Sequence, residues 1–372
     1  MQTTDVIVIG AGIAGAGIAW ELAKEVRVLL VEAEERPGFH TTGRSAAVYL
    51  KGYGNEVIRD LTAASEAFLQ RPPDGFTTAA LVKPRGALTL VRDDQLARLA
   101  PTLERLHRHV PDARRLAPDE ILAMVPMLNP GYAAAAIHDP GARDMDVDAL
   151  LQGYLRGFKS RGGRLMVEAP VTGLERQGSA WRVTAGAEQL AAPVVVDAAG
   201  AWADRVAGLA GLAPLGLVPK RRTALIVAPP EGWDVTDWPV VDDIDEQFYF
   251  RPDAGKLFCS PADETPSEPC DAQPEELDMA IAVDRIERAL PLNVRRIEHS
   301  WAGLRTFAPD KTPVVGFDPR SPGFFWLAGQ GGYGIQTSPA MARLASRLCL
   351  GEAPPAALGH LVTALAPDRL AH

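Results

Sequence analysis

The pattern of hydrophobic positions predicts a strand–helix–strand unit at the start of the chain. Asp5–Ile9 is a largely β-branched apolar run, which is typical of a strand buried on both faces. Ile13–Lys24 carries apolar residues at helical spacing, and Val26–Val31 is a second apolar run. A glycine-rich turn, Gly10–Gly15, separates the first strand from the helix, so we expect these segments to form a βαβ unit.

Apolar runs and amphipathic segments continue along the rest of the chain. Helical spacing predicts helices over Val57–Gln70, Asp93–Val110, Val147–Ser160 and Glu275–Leu290, one beginning at Ala201 and a last one ending near Leu350. Apolar or alternating runs predict strands over Ala87–Val91, Arg164–Glu168, Val171–Arg176, Trp181–Ala185, Pro193–Asp197, Thr223–Ala228, Gln247–Arg251, Lys256–Ser260 and Phe324–Ala328. Asp146 is a predicted N-cap.

The order of these elements predicts two domains that are interleaved in the sequence. Strand–helix segments of the nucleotide-binding type occupy residues 1–50, 145–212 and 300–372. Residues 51–144 and 213–299 belong to a second domain, in which clusters of proline and aspartate separate the strands over much of the length. The expected fold class is therefore α/β, with an α+β second domain built on a largely antiparallel sheet.

Composition and charge narrow the classes of partner. The 372 residues contain 38 Lys and Arg against 47 Asp and Glu, a net charge of −9 that makes a nucleic-acid partner unfavourable. Cys259, Cys270 and Cys349 have neither metal-ligand nor paired spacing, so we predict no metal site and no disulfide framework. This cysteine usage fits a reducing cytoplasm.

The longest apolar run does not predict a membrane or targeting segment. Val6–Trp20 is rich in glycine, too short to span a bilayer, and preceded by Asp5 rather than by basic residues. We expect a cytoplasmic protein without an integral membrane segment, and we leave a peripheral association with a membrane open.

The glycine-rich turn matches the fingerprint of dinucleotide-binding proteins. Gly10, Gly12 and Gly15 occupy the three positions of G-x-G-x-x-G between a predicted strand and a predicted helix, and Glu32 ends the next strand. The first glycine allows a tight bend, the second lets a pyrophosphate approach the backbone, and the third lets helix and strand pack closely. The helix N-terminus favours phosphate, and Glu32 is expected to accept hydrogen bonds from a ribose.

Two further loops favour FAD over NAD. Thr41–Ala47 combines small hydroxyl residues with Arg44, and such a loop can hold the ribityl chain and the edge of a flavin. Gly331–Gln336 stands at a predicted helix start, where amide donors and the helix dipole stabilise negative charge on a reduced flavin. The sequence therefore predicts FAD as the cofactor.

Several longer motifs carry a resemblance to a known family. They are Thr42–Ala47, Leu61–Ser65, Gly153–Gly157, Pro219–Arg222, Trp301–Arg305 and Gly331–Thr337. With them the chain resembles, over nearly its whole length, the FAD-dependent oxidoreductases of the D-amino-acid oxidase and glycine oxidase superfamily, and within it the D-arginine dehydrogenase type of D-amino-acid dehydrogenase. The resemblance implies an FAD-binding Rossmann-like domain and a substrate domain whose mixed sheet covers the flavin.

The resemblance also implies a set of residues around the cofactor. The expected cofactor-binding residues are Gly10, Gly12, Ile13, Ala14, Gly15, Glu32, Ala33, Thr42, Gly43, Arg44, Ser45, Ala46, Ala47, Val171, Ala199, Gly200, Trp202, Gly303, Arg305, Gly331, Gly332, Tyr333, Gly334, Ile335 and Gln336. None of the three cysteines lies in the flavin-contacting motifs, so we expect FAD to be held non-covalently; His40 is the one side chain that we would check for a covalent link.

For the substrate, the resemblance implies a D-amino acid. Arg222 and Arg305 match the two arginines that bind its carboxylate, and Tyr53 and Tyr249 match the tyrosines that contact it. We expect these four residues to carry the reaction, in which the α-hydrogen leaves as hydride to flavin N5. The expected substrate-binding residues are Val48, Leu50, Ala87, Gly332 and Gln336.

Three positions depart from the arginine-specific pattern. Members of the family that prefer cationic substrates carry a glutamate where this chain has Ala87, and a histidine and a threonine where it has Val48 and Leu50. With Val48, Leu50 and Ala87 at these positions, we expect a cationic side chain that enters the cavity to find no anionic partner, which makes its burial costly. We therefore expect neutral or hydrophobic D-amino acids to be preferred over D-Arg and D-Lys.

Some alternatives stay open at this level. An N-methyl amino acid (sarcosine-type) or 2-hydroxy acid oxidoreductase of the same superfamily needs the same carboxylate clamp. The electron acceptor, a quinone, a dye or O₂, is not readable from the sequence, and neither is the oligomeric state.

Overall fold

The structure is a computed structural model that describes residues 2–370. Met1, Ala371 and His372, at the outer ends of the predicted segments 1–50 and 300–372, lie outside the described residues. The α-helices are α1 Ile13–Leu22, α2 Glu56–Gln70, α3 Leu99–His107, α4 Pro118–Met124, α5 Val147–Ser160, α6 Ala203–Leu209, α7 Glu276–Ala289, α8 Gly334–Cys349 and α9 Val362–Leu365.

The strands form four sheets. In chain order they are β1 Gln2–Thr3, β2 Val6–Ile9, β3 Val28–Val31, β4 Val48–Tyr49, β5 Val82–Pro84, β6 Ala87–Val91, β7 Arg114–Leu116, β8 Ala135–Asp139, β9 Arg143–Met145, β10 Arg164–Met166, β11 Val171–Gln177, β12 Ala180–Ala185, β13 Glu188–Ala192, β14 Val194–Asp197, β15 Val218–Val227, β16 Val240–Asp243, β17 Tyr249–Asp253, β18 Lys256–Ser260, β19 Thr265–Pro266, β20 His299–Phe307, β21 Val314–Phe317 and β22 Phe324–Ala328.

A six-stranded sheet in the order β10-β3-β2-β14-β22-β21 confirms the predicted βαβ unit. Its strands are parallel except β21, which runs antiparallel to β22. The four central strands of this sheet, β3, β2, β14 and β22, are apolar because helices and a second sheet cover both faces of it. Nearly every residue of α1 is buried, since this helix packs against the sheet and against α5 and α8.

The largest sheet has the order β19-β15-β18-β17-β16-β6-β8-β7, with β20 paired to β15. It is mixed and largely antiparallel, as predicted, because only β16 and β6 run parallel. Side chains alternate between the two faces of each strand. Leu225, Phe250 and Leu257 on one face pack against Ala282 and Ile286 of α7, which leaves the opposite face free to line a cavity.

Some predicted elements differ in the structure. The predicted helix Asp93–Val110 is a 3₁₀ segment over Asp93–Arg98 followed by α3. Pro101 has no backbone N–H and is tolerated only in the first turn, so the α-helix begins just before it. At Asp146 the predicted N-cap is confirmed, since its carboxylate accepts the N–H of Ala149 at 2.8 Å.

Several strands were not predicted, among them β8, β16, β20 and β21. Both β16 and β20 contain charged residues, Asp242 and Asp243 on the two faces of β16 and Arg305 in β20, which hide the apolar alternation. By register β20 pairs with β15 in the large sheet, although it begins at the predicted boundary of the cofactor domain. The division into two domains stays a prediction.

Residues 2–370 contain neither a candidate membrane-spanning helix nor a candidate metal site. No helix in this part of the chain is both long and apolar enough to cross a membrane. Nor do three or more His, Cys, Asp or Glu side chains of these residues come together in a group that could hold a metal ion.

Candidate active site

A cavity of about 680 Å³ lies between the carboxyl ends of the parallel strands and the open face of the large sheet. Ile9 and Val31, at the ends of β2 and β3, line one side of it, and Tyr249 and Arg305 line the other. Ligands of open α/β sheets bind at the carboxyl ends of the strands, so this is the expected position for one.

The glycine-rich turn forms the wall of the cavity at the end of β2. Gly10 has a φ of +97°, a conformation that favours glycine. A β-carbon on Gly15 would lie 1.8 Å from the carbonyl oxygen of Gly10, so only glycine lets α1 pack onto the turn. The buried Glu32 carboxylate accepts the N–H of Ala11 at 2.8 Å and thereby ties β3 to the turn.

The loop from Thr41 to Ala47 connects the turn with the large sheet. The Thr42 hydroxyl accepts the N–H of Ile13 at 3.0 Å, and the Thr41 hydroxyl donates to the carbonyl of Leu304 at 2.6 Å. Arg44 donates to the carbonyl oxygens of Ala272 and Ala302 at 2.9 and 3.0 Å, and pairs with Asp271. Its guanidinium therefore holds the loop against β20.

The N-terminus of α8 opens into the same cavity. The N–H of Gly331 donates to the carbonyl of Thr306 at 2.8 Å, which fixes the turn that precedes the helix. Gln336 is buried and lines the cavity, but its side-chain amide is used within the protein: it donates to the Thr62 hydroxyl at 2.9 Å and accepts the N–H of Leu50 at 3.0 Å. It joins β4, α2 and α8 around the cavity.

Arg222 and Arg305 lie on neighbouring strands and face the cavity together. Arg222 pairs with Gly303 in the register of β15 and β20, which puts both arginines on one face. Arg305 is only 7% exposed; it donates to the Tyr53 hydroxyl at 3.0 Å, but its Nε and Nη1 atoms have no hydrogen-bond partner among the described residues. A β-carbon on Gly332 would lie 2.4 Å from Nη2 of Arg305, so glycine there leaves room for the guanidinium in this position.

One carboxylate, Glu264, stands behind the two arginines. Its Oε1 atom lies 3.6 Å from Nη2 of Arg222 and 3.7 Å from Nη1 of Arg305, and Lys220 donates to Oε2 at 3.1 Å. Burial alone would raise the pKa of Glu264, but Lys220, Arg305 and Lys311 hold it below its usual value. Burial likewise opposes the charge on Arg305, whereas Tyr53, Tyr249 and Glu264 raise its pKa.

Comparison with known proteins identifies the family. The profile of the family "FAD dependent oxidoreductase" matches residues 5–348. The chain belongs to this family of FAD-dependent oxidoreductases. The uncharacterized oxidoreductase YurR of Bacillus subtilis is 27% identical, over 93% of this chain and 95% of its own length.

Two solved structures share the fold of this FAD-dependent oxidoreductase. The L-proline dehydrogenase from P. horikoshii has a TM-score of 0.86 at 21% identity, covering 99% of this chain and 98% of its own. The glycine oxidase from Geobacillus kaustophilus has a TM-score of 0.83 at 23% identity, covering 95% and 96%.

FAD is the cofactor of this oxidoreductase, and the residues around the cavity fit it. The N-termini of α1 and α8 both open into the cavity, and the position before α1 is Gly12, which has no side chain to cover the free N–H groups. The N–H groups at the start of α1 suit the pyrophosphate, and the N–H groups at the start of α8 suit a flavin that gains negative charge on reduction. His40 also lines the cavity, with its Nε2 atom 2.8 Å from Oε1 of Glu34. Non-covalent attachment of FAD stays a prediction.

The structure brings most of the predicted site residues together. Those that line the cavity are Gly10, Gly12, Ile13, Ala14, Glu32, Ala33, Thr42, Arg44, Ser45, Ala46, Ala47, Val48, Leu50, Tyr53, Val171, Ala199, Gly200, Trp202, Arg222, Tyr249, Gly303, Arg305, Gly331, Gly332, Gly334, Ile335 and Gln336.

Four predicted residues do not line the cavity. Gly15 and Gly43 pack against backbone carbonyls, and the ring of Tyr333 packs against that of Tyr53, 4.9 Å between centroids. Ala87 is 5% exposed and lies in a small apolar cluster with Val240. Its short side chain does not reach the cavity.

Sequence reasoning missed two acidic residues, Asp242 and Glu246, which line the cavity beside Tyr249. Asp242 lies within the unpredicted strand β16, and Glu246 lies in the following loop with a φ of +55°. The premise that a cationic side chain would meet no anionic partner here is therefore wrong. The strand β16 could be recognised only from its pairing with β6 and β17, which the sequence does not show.

Proposed function

We propose that the protein is a D-amino-acid dehydrogenase that deaminates D-amino acids oxidatively and prefers neutral or hydrophobic side chains. The substrate loses a hydride from its α-carbon and a proton from its nitrogen. Water then hydrolyses the imino acid to a 2-oxo acid and ammonia. The paired arginines carry this proposal, because one buried and one half-buried guanidinium group on the same face of a sheet match an α-carboxylate.

The unpaired nitrogens of Arg305 are the specific observation. Burying a guanidinium is costly unless its donors are satisfied, and Nε and Nη1 find no acceptor among the described residues. A substrate carboxylate in the cavity supplies acceptors to both, with Arg222 as a second cation. Glu264 holds the two guanidinium groups close together from behind while leaving these donors free.

The rest of the cavity positions the substrate. Tyr53 accepts from Arg305, and the ring of Tyr249 lies 5.9 Å from the guanidinium carbon of Arg222, so both hydroxyls border the carboxylate site. FAD, when bound, supplies the acceptor for the hydride. The large sheet covers the cavity, excludes water and holds the α-carbon in one orientation, and we propose that this orientation provides most of the catalysis.

The side-chain end of the cavity favours apolar groups. Val48 and Leu50 pack against the cluster of Ala87, Ala142 and Val240, and their methyl groups form the wall there. Burial of apolar surface against this wall favours substrates with neutral side chains.

An anaerobic mixing experiment tests the proposal. Purified holoprotein is mixed in turn with D-Leu, L-Leu, D-Arg and sarcosine while the visible flavin absorbance is followed. We expect D-Leu to bleach the flavin faster than the other three. Bleaching by L-Leu instead would reverse the stereochemistry, and bleaching by sarcosine alone would favour the N-methyl amino acid reaction of the superfamily.

A further inference from the structure

We propose that Asp242 is a specificity-determining residue of this site: its carboxyl group selects substrates by the charge of their side chain, accepting apolar side chains when it is protonated and pairing with a side-chain ammonium or guanidinium group when it is ionised. This inference rests on the proposed oxidation of D-amino acids. It concerns the end of the cavity away from the arginines.

The register of the large sheet puts Asp242 at the side-chain end. Asp242 is directly opposite Thr89 on β6 and Tyr249 on β17, so the three side chains form a row on the cavity face. Val240, two residues earlier, shares this face and belongs to the apolar cluster. Tyr249 lies between Asp242 and the guanidinium of Arg222, so a substrate held at the arginines directs its side chain toward Asp242.

The protein does not neutralise this carboxylate. Its hydrogen-bond donor among side chains is Thr89, at 3.0 Å to Oδ1, and within residues 2–370 no lysine, arginine or histidine forms an ion pair with it. The next residue, Asp243, points to the other face and pairs with Arg92 at 2.5 Å. Asp242 is half-buried, and a carboxylate withdrawn from water without a cation is costly; either a proton or a cationic ligand removes that cost.

Both states are accessible near neutral pH. Burial, opposed by the Thr89 hydroxyl and assisted by the negative charges of Glu246 and Asp243, raises the pKa of Asp242 to about 7. Tyr249 faces the same carboxyl from β17. Below this pH the cavity presents a neutral acid to the substrate, and above it an anion.

The test uses D-Lys and D-norleucine, which share a four-carbon side chain and differ in the terminal ammonium group. In the ratio of their kcat/KM values, the pH effects of the α-amine and of carboxylate binding by the arginines cancel, because both substrates share these groups. The D-Lys side chain stays charged below about pH 10. We expect the ratio to rise steeply with pH through about 7, where Asp242 changes from a neutral acid to an anion.

Two variants test whether this rise of the ratio with pH, called the step below, comes from Asp242. Asp242→Asn, which keeps the shape but cannot ionise, should flatten the ratio. Thr89→Val removes the hydroxyl that favours the anion, so it should move the midpoint to higher pH, an effect that a purely structural role would not produce. Glu246→Gln, the matched control on the other cavity carboxylate, should keep the step.

The outcomes separate the two proposals. A ratio that does not change with pH in the wild-type holoenzyme, or a step that persists in Asp242→Asn, overturns the role of Asp242 while D-amino-acid oxidation stands. A step lost only in Glu246→Gln transfers the role to Glu246 and also overturns it. If neither D-amino acid reduces the flavin at any pH, the proposed function fails and this role with it.

Discussion

At the residue scale, the site depends on how each buried charge is compensated. Arg305 has Tyr53 and Glu264 as neighbours, but two of its nitrogens have no hydrogen-bond partner among residues 2–370, whereas Arg44, on the same cavity, is hydrogen-bonded to backbone carbonyls. The first arrangement leaves binding capacity for a ligand. The second stabilises a loop.

Gly332→Ala tests the position of Arg305. A β-carbon would lie 2.4 Å from Nη2 and 2.5 Å from Nε, so the guanidinium has to move. Because a displacement of about 1 Å can cost about 100-fold in rate, we expect kcat/KM for the best amino acid to fall by about that factor. The measurement is steady-state kinetics together with the melting temperature.

The matched control is Gly208→Ala in α6, where an added β-carbon meets no atom within 4 Å. Alanine is favoured over glycine in a helix by about 1 kcal/mol, so this variant should be slightly more stable and equally active. Unchanged kcat/KM in Gly332→Ala would contradict the placement of Arg305 at the substrate carboxylate.

At the element scale, strand alternation and strand pairing assemble the site. Arg222 and Ala224, Val240 and Asp242, and Gly303 and Arg305 each stand two residues apart, so each pair points to the cavity face. Helix termini supply the other wall, since α1 and α8 both begin at it. A short sequence motif at each strand or helix end therefore contributes to one composite site.

Gly15→Ala tests the contact between α1 and the glycine-rich turn. Its β-carbon would overlap the Gly10 carbonyl, which is backbone and cannot rotate away. We expect the variant to lose FAD, measured as visible flavin absorbance per protein after gel filtration.

Gly17→Ala, in the same helix, is the control. There the nearest atom is the β-carbon of Ala342 at 3.2 Å, a side-chain contact that a small shift between α1 and α8 relieves. This variant should retain FAD with a modest decrease in melting temperature. Full FAD content in Gly15→Ala would show that the turn tolerates a wider separation from the helix.

At the scale of the whole molecule, the cavity makes stability depend on pH. An acid whose pKa is raised by folding stabilises the native state below its unfolded pKa, and this contribution is lost as the pH rises through the folded pKa. For Asp242 the window runs from 3.8 to about 7. Over that range the native state holds a proton at Asp242 that the unfolded chain has already lost.

Asp242→Asn should therefore become more stable relative to the wild type as the pH increases. The difference in melting temperature between the two proteins, measured with FAD bound, should grow toward about pH 7 and level off above it. A difference that is constant over this range would mean that Asp242 titrates normally, and would count against its burial in the cavity.

The sequence by itself determined the parts that depend on local pattern. The βαβ unit, the glycine-rich turn, the helix at Val147–Ser160 and the strand Phe324–Ala328 follow from periodicity and turn chemistry, and the structure confirms them. These signals are local because each residue needs only its chain neighbours to show its role. The family resemblance extended them to FAD and to the arginines, whose roles remain predictions.

Only the tertiary structure decided what long-range pairing brings together. The positions of β16 and β20 depend on partners that are distant in the sequence: Ala87 and Val240 are 153 residues apart, and Lys220 and Arg305 are 85 residues apart. That pairing buries Ala87, puts Glu264 behind the two arginines and brings Asp242 into the cavity. Burial and neighbouring charges set the pKa of a carboxyl group, and neither can be predicted from the residues next to it in the sequence.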